Sequence, residues 1–499
     1  MGIIARLSLL YSKRVHKKNN FWIKNPVKAQ NKVLESLIKH AQGTQFGQDH
    51  NFKNIKDYQD FKHLVPIVDY EDLKPYIEKT LEGQEDILWP GKPLYFCKTS
   101  GTTSGEKYIP ISKESMPYHL KCAKDAILNY IHETGKTDFL NGKNMFIQGS
   151  PVLDFSKKSP IGRLSGIVAH HLPWYLKSNN LPSFPTNCIE DWENKIDKIV
   201  EETIDENMGI ISGIPPWVQM YFEKIKSIRK NPISEVFPNF SLFLYGGVNF
   251  EPYKKRFFDL IGKHIPSIET YPASEGFIAY QNKQKDNGLL LCVDHGIFYE
   301  FVPAQNYFDE NPQRLSLEQI ELGINYALIL NTNAGLWGYS IGDTVRFVSK
   351  DPYKIVVSGR IKHFTSAFGE HVIGKEVEEA IKKSSSKMEM CVNEFHVAPQ
   401  INPSQGLPYH EWLVEFETLP KKIDEFSTLL DQEMRLQNSY YNDLIEGNVL
   451  RPLIITPIKK NGFVSYMKSV GKLGGQNKIP RLANDRKIAD FLTQQAYDK

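Results

Sequence analysis

Seven consecutive residues, Thr99, Ser100, Gly101, Thr102, Thr103, Ser104 and Gly105, carry five hydroxyls and two glycines, and Glu106 and Lys107 follow. No apolar side chain interrupts them, so the run adds little to a core. Its backbone N–H groups and hydroxyls suit an anion such as a phosphate, and a solvent-exposed hairpin tip is the competing reading. A Walker A loop needs four residues between its glycines and then a helix opened by Gly-Lys-Ser/Thr. Only three residues separate Gly101 from Gly105, and an apolar strand pattern, KYIPIS, resumes afterwards.

Four further segments could do chemistry. In ETYPASEGFIAYQ (269–281), Glu275 follows a turn-setting Pro272, and Tyr271 offers a flat ring. An acid there suits a phosphate-bound Mg²⁺ and the ring suits a base, although a turn with a solvated Glu has the same pattern. In GLWGYSIGDTVRF (335–347), Asp343 could accept both hydroxyls of a ribose, or Gly342-Asp343 could be a hairpin turn. VVSGRIKHFTSAFGEHVI (356–373) carries Arg360 and Lys362, and the Gly-rich GKLGGQNKIPRL (471–482) presents Lys478. His170-His171 lack a carboxylate or Cys at metal-ligand spacing and read as pocket-lining or structural. Trp174, Trp217 and Tyr245 could wall an apolar pocket or simply belong to the core.

These segments need elements to hold them. Residues 1–90 carry helical periodicity, as in VKAQNKVLESLIKHAQ, and the hydroxyl run sits between two strands. A helix follows with Met116, Leu120, Ala123, Ile127 and Ile131 on one face, and SLFLY (241–245) ends at Gly246-Gly247. Beyond PSIETY the pattern is strand after strand to residue 358, and from Gly359 helices alternate with strands. The second region predicts helices with Ile373, Val377 and Ile381, then Phe426, Leu430 and Met434, on their apolar faces. The expected organisation is α/β. A large domain spans residues 1–359 and a small α+β domain residues 360–499, with the junction near Gly359 to His363.

Hydrophobic residues make up 41% of the 499 and charged residues 24%, as in an ordinary globular protein. Sixty-one basic against 58 acidic residues leave a net charge of +3, too balanced to imply a nucleic-acid partner. KKNNFWIK and KIKSIRK read as solvated faces, and no apolar run is long enough to span a bilayer, so no membrane partner is expected. The five cysteines (Cys97, Cys122, Cys188, Cys292, Cys391) are scattered without a C-x-x-C pair. That pattern speaks against a disulfide framework or zinc site and for a reducing, cytoplasmic setting.

Taken together and in order, the motifs resemble the acyl-adenylate-forming superfamily of acyl-CoA synthetases, adenylation domains and luciferases. Within it the chain resembles the auxin-responsive Gretchen Hagen family of acyl-acid amido synthetases. The resemblance runs through VPIVDYEDLKPYIEKTLEGQEDILWPGKPLYFCKTSGTTSGEKYIPIS, ISGIPPWV and QNKIPR. Two departures mark a distant branch: Ser340 stands where plant members carry Arg, and YPASE replaces a YASSE-type motif. The resemblance implies a large adenylate-forming domain with β-sheets, helices and a β-barrel-like part, and a small mobile C-terminal domain. It implies ATP and Mg²⁺, a carboxylic acid activated as acyl-AMP, and an amine acceptor, usually an amino acid. An acyl-CoA synthetase and a non-catalytic nucleotide-binding module are the alternatives. The roles it implies give Thr99 to Gly105 the β- and γ-phosphates, Glu275 the Mg²⁺, and Lys478 the bridge from carboxylate to α-phosphate. Tyr271, Ala273 and Ser274 would line the adenine and α-phosphate region. Asp343 and Arg360 would hold the ribose, Lys362 would be the hinge, and Tyr245, Gly246 and Gly247 would approach the acyl group.

Overall fold

The computed structural model describes residues 3–100, 106–172, 179–248, 250–361, 364–365, 367–368, 370, 372–420, 422–470 and 479–497. An eleven-stranded sheet dominates it. On one side lie Asn180–Leu181, Lys143–Ile147, Met208–Gly213, Leu242–Gly246 and Ser267–Ala273, each parallel to its neighbour. Parallel strands need crossovers, and helices Pro215–Arg229 and Glu251–Ile261 supply two of them. Helix Pro215–Arg229 buries Val218, Tyr221, Phe222 and Ile225, one apolar stripe at steps of three and four. Met208–Gly213 is buried at five of its six positions, as a strand covered on both faces must be.

At Ser267–Ala273 the sheet changes character. Gly276–Tyr280 pairs with it antiparallel, and Leu289–Leu291, Tyr353–Arg360, Tyr339–Lys350, Asn325–Thr332 and Ile297–Pro303 continue antiparallel to the far edge. The first strand reaches beyond its expected end at Tyr271. Pro272, which has no N–H, is absorbed by a register shift after Tyr271, and Ser274-Glu275 form the two-residue tip. Of the two readings of Gly342-Asp343, the hairpin turn is not formed. Tyr339–Lys350 runs straight through it, with Gly342 at φ +85° inside an irregularity against Ala327–Ile329.

The hydroxyl run begins in a separate three-stranded sheet, Glu106–Ile111, Tyr95–Ser100 and Ile161–Gly162. In the C-terminal part Val392–Gln400, Tyr409–Phe416 and Ile454–Pro457 form a further sheet, with helices Gly374–Lys387 and Ile423–Gln437. Ile373, expected on the first of these helices, closes strand Val372–Ile373 instead. One apolar core joins the two parts, uniting Phe243, Tyr245 and Phe250 with Phe368, Trp412 and Leu450. Tyr253 Oη donates to the Ala367 carbonyl at 2.8 Å.

The antiparallel edge is fastened by a buried ion pair. Glu300 is fully buried and accepts from Arg314 Nε at 2.9 Å and Nη2 at 2.6 Å, from Tyr58 Oη at 3.0 Å and from Asn331 Nδ2 at 3.0 Å. Arg314 Nη1 also donates to the Lys62 carbonyl at 3.1 Å, which ties helix Tyr58–Leu64 to the sheet. Arg314→Met should cost about 3–5 kcal/mol, because it leaves the Glu300 carboxylate buried without its cation. Urea unfolding of the variant beside wild type measures that loss.

Candidate adenylation site

In the parallel half the strands' carboxyl ends open onto a cavity of about 1960 Å³. Gln148 and Gly149 follow the first long strand, Gly213 and Ile214 the second, Gly246 and Gly247 the third and Ser274 the fourth, and all of them line it. Ligands in open α/β sheets bind at such carboxyl ends. Thr99, His171, Trp217 and Tyr245 line the same space. At Gly246 a Cβ would meet the Thr270 carbonyl oxygen at 2.5 Å, so glycine is what allows the two strands to end this closely.

The hydroxyl strand reaches this cleft through its base. Thr99 pairs with Lys107 and Ser100 with Glu106 across the hairpin, and Lys98 and Glu106 form an ion pair beside it. Gly101 to Gly105, the body of the run, lie outside the described residues. Cys97 is fully buried and its Sγ donates to Ser274 Oγ at 3.1 Å, tying the hydroxyl hairpin to the tip that carries Glu275. Burial pushes the Cys97 thiol up to about 12, so it stays a neutral donor and not a nucleophile.

A second contact brings in the antiparallel half. Tyr271 Oη donates to Asp343 Oδ2 at 2.5 Å. Three strands separate theirs in the sheet, a span of about 19 Å if it were flat. The sheet therefore curls until its antiparallel half faces the hairpin, which is the curvature a barrel-like part requires. Asp343 is paired in register with Arg360 on the adjoining strand. Thr99, Ser274, Tyr245, Gly246 and Gly247 thus share one cavity, Glu275 is next in chain to Ser274, and Ala273 pairs with Gly276 at the same tip. Lys362, Trp174 and Lys478 lie outside the described residues.

The C-terminal part also lines the cleft, through Tyr440, Asp443 and Leu444. On helix Ser439–Glu446, Tyr440 Oη donates to the Lys98 carbonyl at 2.9 Å, one residue before the hydroxyl run. Arg163 stacks over the Tyr440 ring at 4.9 Å and pairs with Asp443 at 2.6 Å. The sequence gives no sign of this helix's role, because Tyr and Asp three residues apart have no distinctive pattern.

Lys195 is another lining residue that the sequence conceals. It sits on helix Trp192–Thr203, is buried, and donates to the carbonyls of Gln148 at 2.9 Å and Asn187 at 2.8 Å. The histidines behave as expected: His171 Nε2 meets Tyr95 Oη at 3.0 Å and His170 Nε2 the Pro151 carbonyl at 2.8 Å. Away from the cleft, Cys122, Cys292 and His295 bring ligand atoms within 4.8 Å of one another, a grouping their spacing did not suggest. Lys121 Nζ lies 2.7 Å from His295 Nε2, which engages one of the two ring nitrogens, and the other, Nδ1, is buried without a hydrogen-bond partner among the described residues.

The mixed sheet, its curled second half and the cleft at its carboxyl ends define the fold of adenylate-forming ligases. A structure of the acyl acid amido synthetase AtGH3.15 in complex with 2,4-DB superposes with a TM-score of 0.61 at 15% identity, covering 98% of this chain and 96% of that one. A 2-hydroxyisobutyryl-CoA ligase in complex with 2-HIB-AMP and CoA gives 0.61 at 13% identity, over 95% of this chain and 92% of that one. The GH3 family N-terminal domain matches residues 16–266, the central domain 290–360 and the C-terminal domain 375–487. The chain belongs to the GH3 family. Similar members include the jasmonoyl–L-amino acid synthetase JAR6 of Nicotiana attenuata, 22% identical over 92% of this chain and 91% of that one. The indole-3-acetic acid-amido synthetase GH3.5 of Arabidopsis thaliana is 20% identical, over 95% and 91%.

Burial pulls the Lys195 ammonium from the ordinary 10.5 down to about 8. Between those values the unfolded chain holds a proton that the folded chain has released, so folding stability gains as pH rises through the window. Wild type should therefore gain stability relative to Lys195→Met between pH 8 and 10.5, as denaturation at several pH values would show; a pH-independent difference would mean that Lys195 keeps an ordinary pKa.

Proposed function

We propose that this chain activates a carboxylic acid with ATP and passes the acyl group to an amine, in the manner of an acyl-acid amido synthetase. The carboxylate oxygen attacks the α-phosphorus and pyrophosphate leaves. The amine nitrogen then attacks the acyl carbon, AMP leaves, and the amine's proton is lost. The observation that supports this reading is the meeting of the hydroxyl strand and Ser274 at one cavity with an apolar wall, with the Tyr271–Asp343 pair reaching back to the strand that ends at Ser274.

The first step brings two anions together. Unit charges 4 Å apart repel by about 4 kcal/mol at an effective dielectric near 20, so preorganised donors must offset that repulsion. We assign the phosphate tail to the N–H groups and hydroxyls of Thr99 to Gly105 and the attacking carboxylate to Lys478. Glu275 supplies a hard oxygen donor of the kind Mg²⁺ takes, and the ion when bound neutralises phosphate charge. We assign the ribose to Asp343, which Tyr271 holds and which can accept from the hydroxyls, and to Arg360, whose guanidinium can donate to their oxygens. The Gly246-Gly247 end and Tyr245 face the acyl group. Residues 360–499 form the unit that moves between half-reactions about Lys362, which brings Lys478 in for the first of them. Among the described residues no helix is long and apolar enough to cross a membrane, and we place the enzyme in the cytoplasm.

Carboxylate-dependent exchange of pyrophosphate into ATP, run across a panel of acids, should detect the first step. Lys478→Ala should reduce that exchange about 10²–10³-fold with little change in ATP affinity; undiminished exchange removes Lys478 from the mechanism. AMP release supported by amino acids but not by coenzyme A separates the amido synthetase from an acyl-CoA synthetase. No exchange with any acid would favour a binding module.

A further inference from the structure

The first helix, Ile3–Lys24, has two apolar faces and needs only one to pack. Its inner face buries Ala5, Ser12, Asn19 and Trp22, with Leu9, Val15 and Ile23 against the core behind the antiparallel strands. On the outer face Ile4, Leu7, Leu10 and Phe21 are 59–67% exposed, and Tyr11 stands beside them. Successive residues turn by 100°, so these five fall within one sector about 120° wide, running some 26 Å along the axis. Arg14 and Lys18 fall in the same sector, so the apolar side chains form a cluster from Ile4 to Tyr11 with Phe21 beyond two cations.

Its charge is as one-sided as its polarity. Residues 3–24 contain Arg6, Lys13, Arg14, Lys17, Lys18 and Lys24, and no Asp or Glu occurs before Glu35. All six cations are exposed. Neighbouring helices add to them: Lys124 lies 5.9 Å from the Tyr11 ring centre and Lys32 5.9 Å from that of Phe21. The chain's balanced total charge conceals this local excess.

We infer that this helix lies on an anionic lipid surface, with Ile4, Leu7, Leu10 and Phe21 in the acyl boundary and the cations at the headgroups. A basic helix with a bulky apolar face is the form that lies in the membrane interface without crossing it. A second copy of the chain fits the same face poorly, because two-fold pairing would set six cations against six. A lipid-bound helix departs from the reading of KKNNFWIK as a solvated face and from the expectation of no membrane partner. The helix also flanks the large cavity, which Ser8, Tyr11 and Lys18 help to line, so docking would bring the cavity near the bilayer.

Flotation of the full chain with phosphatidylcholine vesicles containing about one-third phosphatidylglycerol tests the inference. Wild type should float with them, remain behind with phosphatidylcholine alone, and bind more weakly as salt is raised. The triple variant Leu7→Glu, Leu10→Glu, Phe21→Glu alters only exposed positions and should bind at least about tenfold more weakly. A second variant, Arg6→Gln, Lys13→Gln, Arg14→Gln, Lys17→Gln, keeps the apolar cluster and should also lose the anionic vesicles. No flotation of wild type, or flotation that neither variant reduces, overturns the inference. So does a dimer in sedimentation velocity that the triple variant dissociates, which would give the face to a second copy. Binding is read without turnover, so this outcome is separate from the fate of the ligase reading.

Discussion

The site depends on one change of direction in the sheet. Up to Ser267–Ala273 every neighbour is parallel, which sends successive carboxyl ends to the same edge; after the Ser274-Glu275 tip every neighbour is antiparallel. A purely parallel sheet would continue outward and leave the cleft open on that side. Here the antiparallel half curls back until Asp343 reaches the hydroxyl of Tyr271. The tip is thus the point where the two halves, and the hydroxyl hairpin fastened to it by Cys97, share a boundary.

Much of the fold was legible because its elements carry their own periodicity. SLFLY, PSIETY and the strands from residue 289 to 360 are short apolar runs bounded by Gly, Asn or charged residues, and they became strands within a few residues of their expected ends. The errors share a cause. Pro272 and Gly342 are turn-formers by local preference, but each sits where a ladder can absorb an irregularity, so tertiary pairing overrode the local signal. The hydroxyl run, Glu275 and Asp343 were legible as candidates because their residue types are unusual where they stand. Lys195 and Tyr440 were not, since what distinguishes them is their surroundings: two backbone carbonyls for one, a remote strand for the other.

The polar contacts that fasten the molecule also differ in what they can contribute. The Glu300–Arg314 pair is sealed from water and joined by several donors, so it fixes the sheet edge rigidly. Arg163–Asp443 is partly exposed, and such pairs contribute at most about 1 kcal/mol. The firm polar pair lies on the antiparallel edge, while between the two parts of the chain it is the shared apolar core, not the exposed ion pair, that does the joining.

Tyr440 has a thermodynamic corollary. Its hydroxyl holds the backbone carbonyl of Lys98, so the position of helix Ser439–Glu446 and the order of the strand end leading into the hydroxyl run are parts of one equilibrium. Linkage makes such a relation reciprocal. An anion that orders that strand end must favour the seated helix, and displacement of the helix must loosen the hold on the anion by the same factor.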